Sequence, residues 1–97
     1  MYRYMVMNAD EIVLFGETFK NNKRRFIIAL LLKKELKWSE LEDNIDREFK
    51  IRVNPNTLSF HLKYLLERGI VKKSGEHYSI DNKYKLVLTE FFSKEVK

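Results

Sequence analysis

The stretch Asn54–Ile80, NPNTLSFHLKYLLERGIVKKSGEHYSI, decides how the rest of the chain is read. Pro55 fixes φ near the helical value and suits a first helical position, while Asn54 or Asn56 can cap orphan N–H groups. Leu58, Leu62, Leu65 and Leu66 then follow the i, i+4, i+7, i+8 spacing of one buried stripe. Gly69 stands where a left-handed residue would end a helix over 55–68, with Arg68 favourably placed at the negative end of the dipole. Ile70 and Val71 begin a strand, Ser74-Gly75 signals a tight turn, and Tyr78 and Ile80 alternate with polar neighbours on the return strand, giving a hairpin over 71–80.

A helix fused this tightly to a short basic hairpin predicts a winged helix, in which the helix enters a DNA major groove and the hairpin rests on the backbone. Folding explains the leucines and the glycine. It does not explain the outward residues Asn56, Thr57, Ser59, Phe60, Lys63 and His61.

Working outward, the other segments read as helices. The first starts at Asn8, with Glu11 completing a capping box, and runs to about Phe19. Lys20-Asn21-Asn22 separates it from a second helix, Lys23 to Leu36, with Phe26, Ile27, Leu30 and Leu31 as its buried stripe. Ser39 with Glu42 forms another capping box, opening a helix through Phe49 with Leu41, Ile45 and Phe49 inward. Trp38 packs at the corner, and Lys50–Val53 is a short connection. A last helix, Asn82 to Val96, turns Tyr84, Val87, Leu88, Phe91 and Phe92 to one side. The expected fold is mainly α with a small β-hairpin wing, in the order α-α-α-α-β-β-α.

Ninety-seven residues make one domain, and one proline with three glycines leaves no flexible linker inside it. The chain has no cysteine, which excludes a disulfide framework and thiolate metal sites and fits a cytoplasmic protein. The longest apolar run, Phe26 to Leu32, is too short to span a bilayer, so no membrane association is expected. MYRYMVMNADEI lacks a secretory pattern.

Net charge is +5, and its placement is more informative than its size. Residues 20–38 carry seven basic side chains against Glu35, and residues 50–73 carry six against Glu67. Between them, residues 39–49 hold five acids and Arg47. The basic segments flank and include the 55–68 helix, as a polyanion-binding face requires; lysines that merely solubilise a small domain would look the same.

With these elements in place, the chain resembles the ArsR-type winged helix-turn-helix regulators over roughly Phe15 to Phe92. The likeness is strongest over Asn56-Thr57-Leu58-Ser59-Phe60-His61-Leu62-Lys63-Tyr64-Leu65 and Glu67-Arg68-Gly69-Ile70-Val71. There that family typically reads Ser-Thr-Val-Ser-Arg-His-Leu-Lys-x-Leu, followed by Ala-Gly-Leu-Val. Lys23-Arg24-Arg25-Phe26-Ile27-Ile28-Ala29-Leu30-Leu31 also matches the family's Thr-Arg-Leu-x-Ile-Leu-x-x-Leu helix. The resemblance implies a DNA-binding transcriptional regulator that dimerises through its first and last helices.

The chain departs from the family in four places. Only His61 and His77 accompany the missing cysteines, too few for the metal sites of the metal-sensing members, and no cofactor is expected. The connection before the 55–68 helix is long and the hairpin is short. Phe60 replaces a residue that is commonly Arg.

Each candidate residue has a functional and an ordinary reading. Asn56 can pair with adenine or serve as the N-cap. Thr57 and Ser59 can reach base edges or pack locally. Lys63 meets a phosphate or is simply solvated. Phe60 covers thymine methyls, anchors a protein partner, or turns inward beneath the wing. His61 is structural or faces a phosphate. Lys72, Lys73 and His77 contact the backbone or belong to a solvated hairpin. Ser39 and Asn54 open helices whose free N–H groups suit phosphates; Asn22, Lys23 and Arg24 could approach the same backbone.

The expected partners are double-stranded DNA and a second copy of the chain, the latter because Tyr2, Tyr4, Val6, Val13 and Leu14 join the last helix in an apolar surplus. The alternative is a winged helix used for protein contact through Phe60 and the short wing. An enzyme fits worst, because no acid–His pair, thiol nucleophile or Gly-rich phosphate loop can be assembled.

Overall fold

Asn54 is extended, and its side-chain oxygen accepts the Asn56 N–H at 2.7 Å, so Asn54 is the N-cap and Pro55 the first residue of the helix. At the other end the Gly69 N–H bonds Leu66 O and the Ile70 N–H bonds Leu65 O, both at 3.1 Å. That pair of bonds is a Schellman motif, and it needs the left-handed backbone that Gly69 adopts at φ 74°. Leu65 and Ile70, the two residues joined by the second bond, are both fully buried.

The structure, a computed structural model, describes residues 9–95. The elements are α1 (Ala9–Thr18), α2 (Asn22–Lys33), β1 (Leu36–Lys37), α3 (Trp38–Phe49), α4 (Pro55–Glu67), β2 (Val71–Ser74), β3 (His77–Ile80) and α5 (Asn82–Glu95). The expected start at Asn8, the end at Val96, and Tyr2, Tyr4 and Val6 lie outside the described residues.

The expected mainly helical fold with a hairpin is present, with one strand added. Leu36 does not end the second helix; α2 stops at Lys33, and Lys34 turns extended at φ −170°. Leu36 and Lys37 then pair with Tyr78 and His77, giving an antiparallel sheet in the order β1-β3-β2. A two-residue strand has no periodicity of its own and exists because β3 offers it an edge. In the hairpin, Val71 faces Ile80 and Ser74 faces His77, so Gly75-Glu76 forms the turn, one residue later than Ser74-Gly75. Gly75 has φ 60°, as the first central residue of a type II′ turn requires.

The same strand moves the start of α3. The chain is extended through Lys37, so the helix begins at Trp38, and the Lys37 N–H is capped by Glu40 Oε1 at 2.9 Å. Glu40, not Glu42, closes this turn, and Ser39 is inside the helix rather than its N-cap. After α3, Lys50 adopts the left-handed conformation and Asp46 Oδ1 accepts the Val53 N–H at 2.6 Å. The connection into α4 is therefore tied down, with Val53 in the core.

Ile27, Ile28 and Leu31 of α2 form the centre, with Leu41 and Ile45 of α3 and Leu58, Leu62 and Leu65 of α4 against them. Phe26 and Leu30, expected in that stripe, are only partly buried. Ile70, Val71, Tyr78 and Ile80 close the core from the sheet. α1 and the residue after it meet α5 through aromatic rings: Phe15 meets Tyr84 edge-on at 5.3 Å, and Phe19 stacks on Phe91 at 4.5 Å.

Candidate nucleic-acid interface

The leucine stripe holds α4 against the core and leaves Asn56, Ser59, Phe60 and Lys63 exposed, with Thr57 half-buried. Because Asn54 takes the capping role, the Asn56 side chain is released from it. Phe60 is 62% exposed, which removes the inward reading for this ring.

His61 is corrected by the structure. It is 6% exposed and belongs to the buried side of α4 with Leu58, Leu62 and Leu65, so it does not face a phosphate. Its Nδ1 is buried without a hydrogen bond. Burial, and then the charges of Arg24 and Lys23, hold the imidazole pKa below its ordinary value, favouring the neutral ring. The i+3 step from Leu58 and the i+4 step to Leu65 were the signal for this placement.

On the hairpin, Lys72 and Lys73 are exposed and adjacent in a strand, so they leave opposite faces of the sheet. Lys73 bends over the Tyr78 ring, with Nζ 5.3 Å from its centre. There it lines a cleft of about 320 Å3 with Lys37, Trp38, Ser39, Glu76 and Tyr78. The fold thus brings Ser39 and Lys73 together and adds Lys37, while Lys72 stays apart. His77 is half-buried on the central strand, between Lys37 and Ser74.

Two basic residues of α2 are engaged elsewhere. The Arg24 Nε and Nη2 donate to Thr18 O and Glu17 O, both at 3.1 Å, tying α2 to the end of α1. Lys23 has Nζ 5.1 Å from the centre of the Phe49 ring. Asn21, outside the candidate set, caps α2 by accepting the Arg24 N–H. Among the described residues no group of three or more His, Cys, Asp or Glu could hold a metal ion. No described helix is long and apolar enough to cross a membrane.

A capped helix packed on a three-stranded sheet, preceded by another helix and a short connection that is tied down, defines the winged helix-turn-helix fold. Solved structures share it. HlyU from Vibrio cholerae superposes with a TM-score of 0.72 at 21% identity, covering 94% of this chain and all of that one. The transcriptional repressor BigR from Xylella fastidiosa gives 0.69 at 24% identity, covering 92% and 90% of the two chains. A homodimeric winged helix-turn-helix DNA-binding domain from Mycobacterium bovis, a possible ArsR-family transcriptional regulator, gives 0.65 at 20% identity, covering 99% and 89%. No protein-family model matches the chain, and no curated protein does. At these identities the likeness is one of fold.

Proposed function

We propose that the chain is a DNA-binding transcriptional regulator that inserts α4 into the major groove and rests the β2–β3 hairpin on the backbone. The observation that carries this reading is the row Asn56, Ser59, Phe60 and Lys63, left exposed on a helix whose opposite stripe is in the core. Asn56 and Ser59, near the N-terminus of α4, have the reach and chemistry for base edges, and Lys63 two turns on has the charge for a phosphate. Ser39 and Lys37, with Lys73 of the wing, supply a second group of backbone contacts. The shared fold with a transcriptional repressor and a DNA-binding domain supports the same reading.

Two copies acting together would place two recognition helices about one DNA turn apart. Ile12 and Val13 of α1 and Leu86 and Phe91 of α5 are exposed apolar residues on the terminal helices, and the M. bovis domain is homodimeric. Selecting bound duplexes from a random pool tests both parts. A palindromic motif, with binding that weakens steeply with salt, is the expected result. No duplex binding at about 50 mM salt would reject the regulator reading.

The exposure of Phe60 favours one second reading, a winged helix that docks a protein through this ring. Under it, Phe60→Ala abolishes a partner interaction while leaving duplex affinity unchanged.

A further inference from the structure

The last turn of α4 carries a feature that neither the core nor the base-reading face accounts for. The Tyr64 ring has the guanidinium carbon of Arg24 4.0 Å from its centre and that of Arg68 at 3.5 Å. Two planar cations so close to one ring centre fit only on opposite faces. Arg24 is anchored by carbonyls at the end of α1, and Arg68 Nη1 donates to Tyr64 O at 3.3 Å. All of these acceptors are neutral carbonyls, so the ring and its hydrogen bonds orient both charges without cancelling either.

Arg68 is the exposed member of the stack and lines a groove of about 400 Å3 with Phe60, Lys63, Tyr64 and Glu67. Glu67 offsets one charge there, but Arg68 and Lys63 still leave an excess of cations, with Arg24 behind them against the Tyr64 ring. Like charges held around one ring repel, and an anion on the open side relieves that repulsion. The planar fork of Arg68 suits the two oxygens of a phosphodiester.

Helix length then places this fork. The 13 residues of α4 span about 20 Å, whereas the major groove is about 12 Å wide. A helix that crosses the groove at an angle with its first turn on base edges carries its last turn out over the sugar–phosphate ridge. We propose that Arg68, held flat on Tyr64 and backed by Arg24, binds a DNA backbone phosphate at the trailing end of the recognition helix and limits how far the helix slides along the groove. This rests on the DNA-binding reading above.

The test uses the full chain and a mixed-sequence duplex, with affinity measured between about 50 and 200 mM salt. Arg68→Ala removes the fork, and Arg68→Gln keeps a planar head on the ring without the charge. Each variant should lower the magnitude of the log–log salt slope by about 0.9 and weaken binding about tenfold on every sequence alike. Both variants should stay folded, with melting temperatures lowered by a few degrees at most, the size expected for losing one exposed cation–π contact. If the wild-type chain binds steeply with salt and both variants keep its slope, the proposal is wrong and the regulator reading stands. If the wild-type chain does not bind duplex, both fall.

Discussion

His61 shows how one side chain can be misassigned by the face it shares. It neighbours Phe60, which is exposed, yet its own direction along the helix is inward, where it sits with an unbonded Nδ1 beside two cations of α2. Its pKa in the folded state is depressed, so below about pH 6.5 the unfolded chain binds the proton more readily than the folded one. Stability therefore falls as pH drops from that value toward the lower folded pKa. His61→Leu should remove this part of the decline, so that denaturant unfolding at pH 7 and pH 5 shows a smaller loss in the variant than in the wild type. An equal loss would show that the ring is solvated. On the outer face, Asn56→Ala should cost about 1–3 kcal/mol of discrimination at a single base position, read as a flattened preference in duplex selection. Lys63→Ala should instead weaken all sequences alike and reduce the salt slope by about 0.9.

At the scale of elements, α4 is held at both ends by residues with narrow conformational tasks. Asn54→Ala removes the acceptor for the Asn56 N–H and should destabilise the fold by about 1 kcal/mol. Gly69→Ala meets no steric obstacle but forces an L-residue to φ 74°, and should cost about 1–2 kcal/mol in chemical denaturation. Both losses would leave duplex specificity intact, which separates fold positions from reading positions. The Gly69 end was legible from sequence, and the cap was narrowed to Asn54 or Asn56, because capping and left-handed glycine are local chemistry. The beginning of α3 was not. Ser39 and Glu42 satisfy a capping-box pattern, but the strand pairing of Lys37 with His77 fixes the helix start two residues earlier and gives the cap to Glu40.

For the whole molecule, the aromatic contacts of Phe15 and Phe19 commit one side of α1 to α5, and Ile12, Val13, Leu86 and Phe91 remain exposed on this pair. If two copies join there, Val13→Glu should shift the chain toward monomer in sedimentation and weaken binding to a palindromic duplex much more than to a half-site. An unchanged oligomeric state would place any dimer contact elsewhere. Each lost partner would cost binding through effective concentration rather than through contact with DNA.

The amino-acid sequence by itself determined the helices and the hairpin, a cap at Asn54 or Asn56, the glycine stop at Gly69 and the leucine stripe. Those features follow from steric preferences and from periodicities that act within a few residues. Only the tertiary structure decided that Leu36 and Lys37 are a strand, that His61 is buried and Phe60 exposed, and that Arg24 reaches Tyr64 and Arg68 from another helix. Each of these depends on which distant segment arrives at a given face, and local preference carries no information about that arrival.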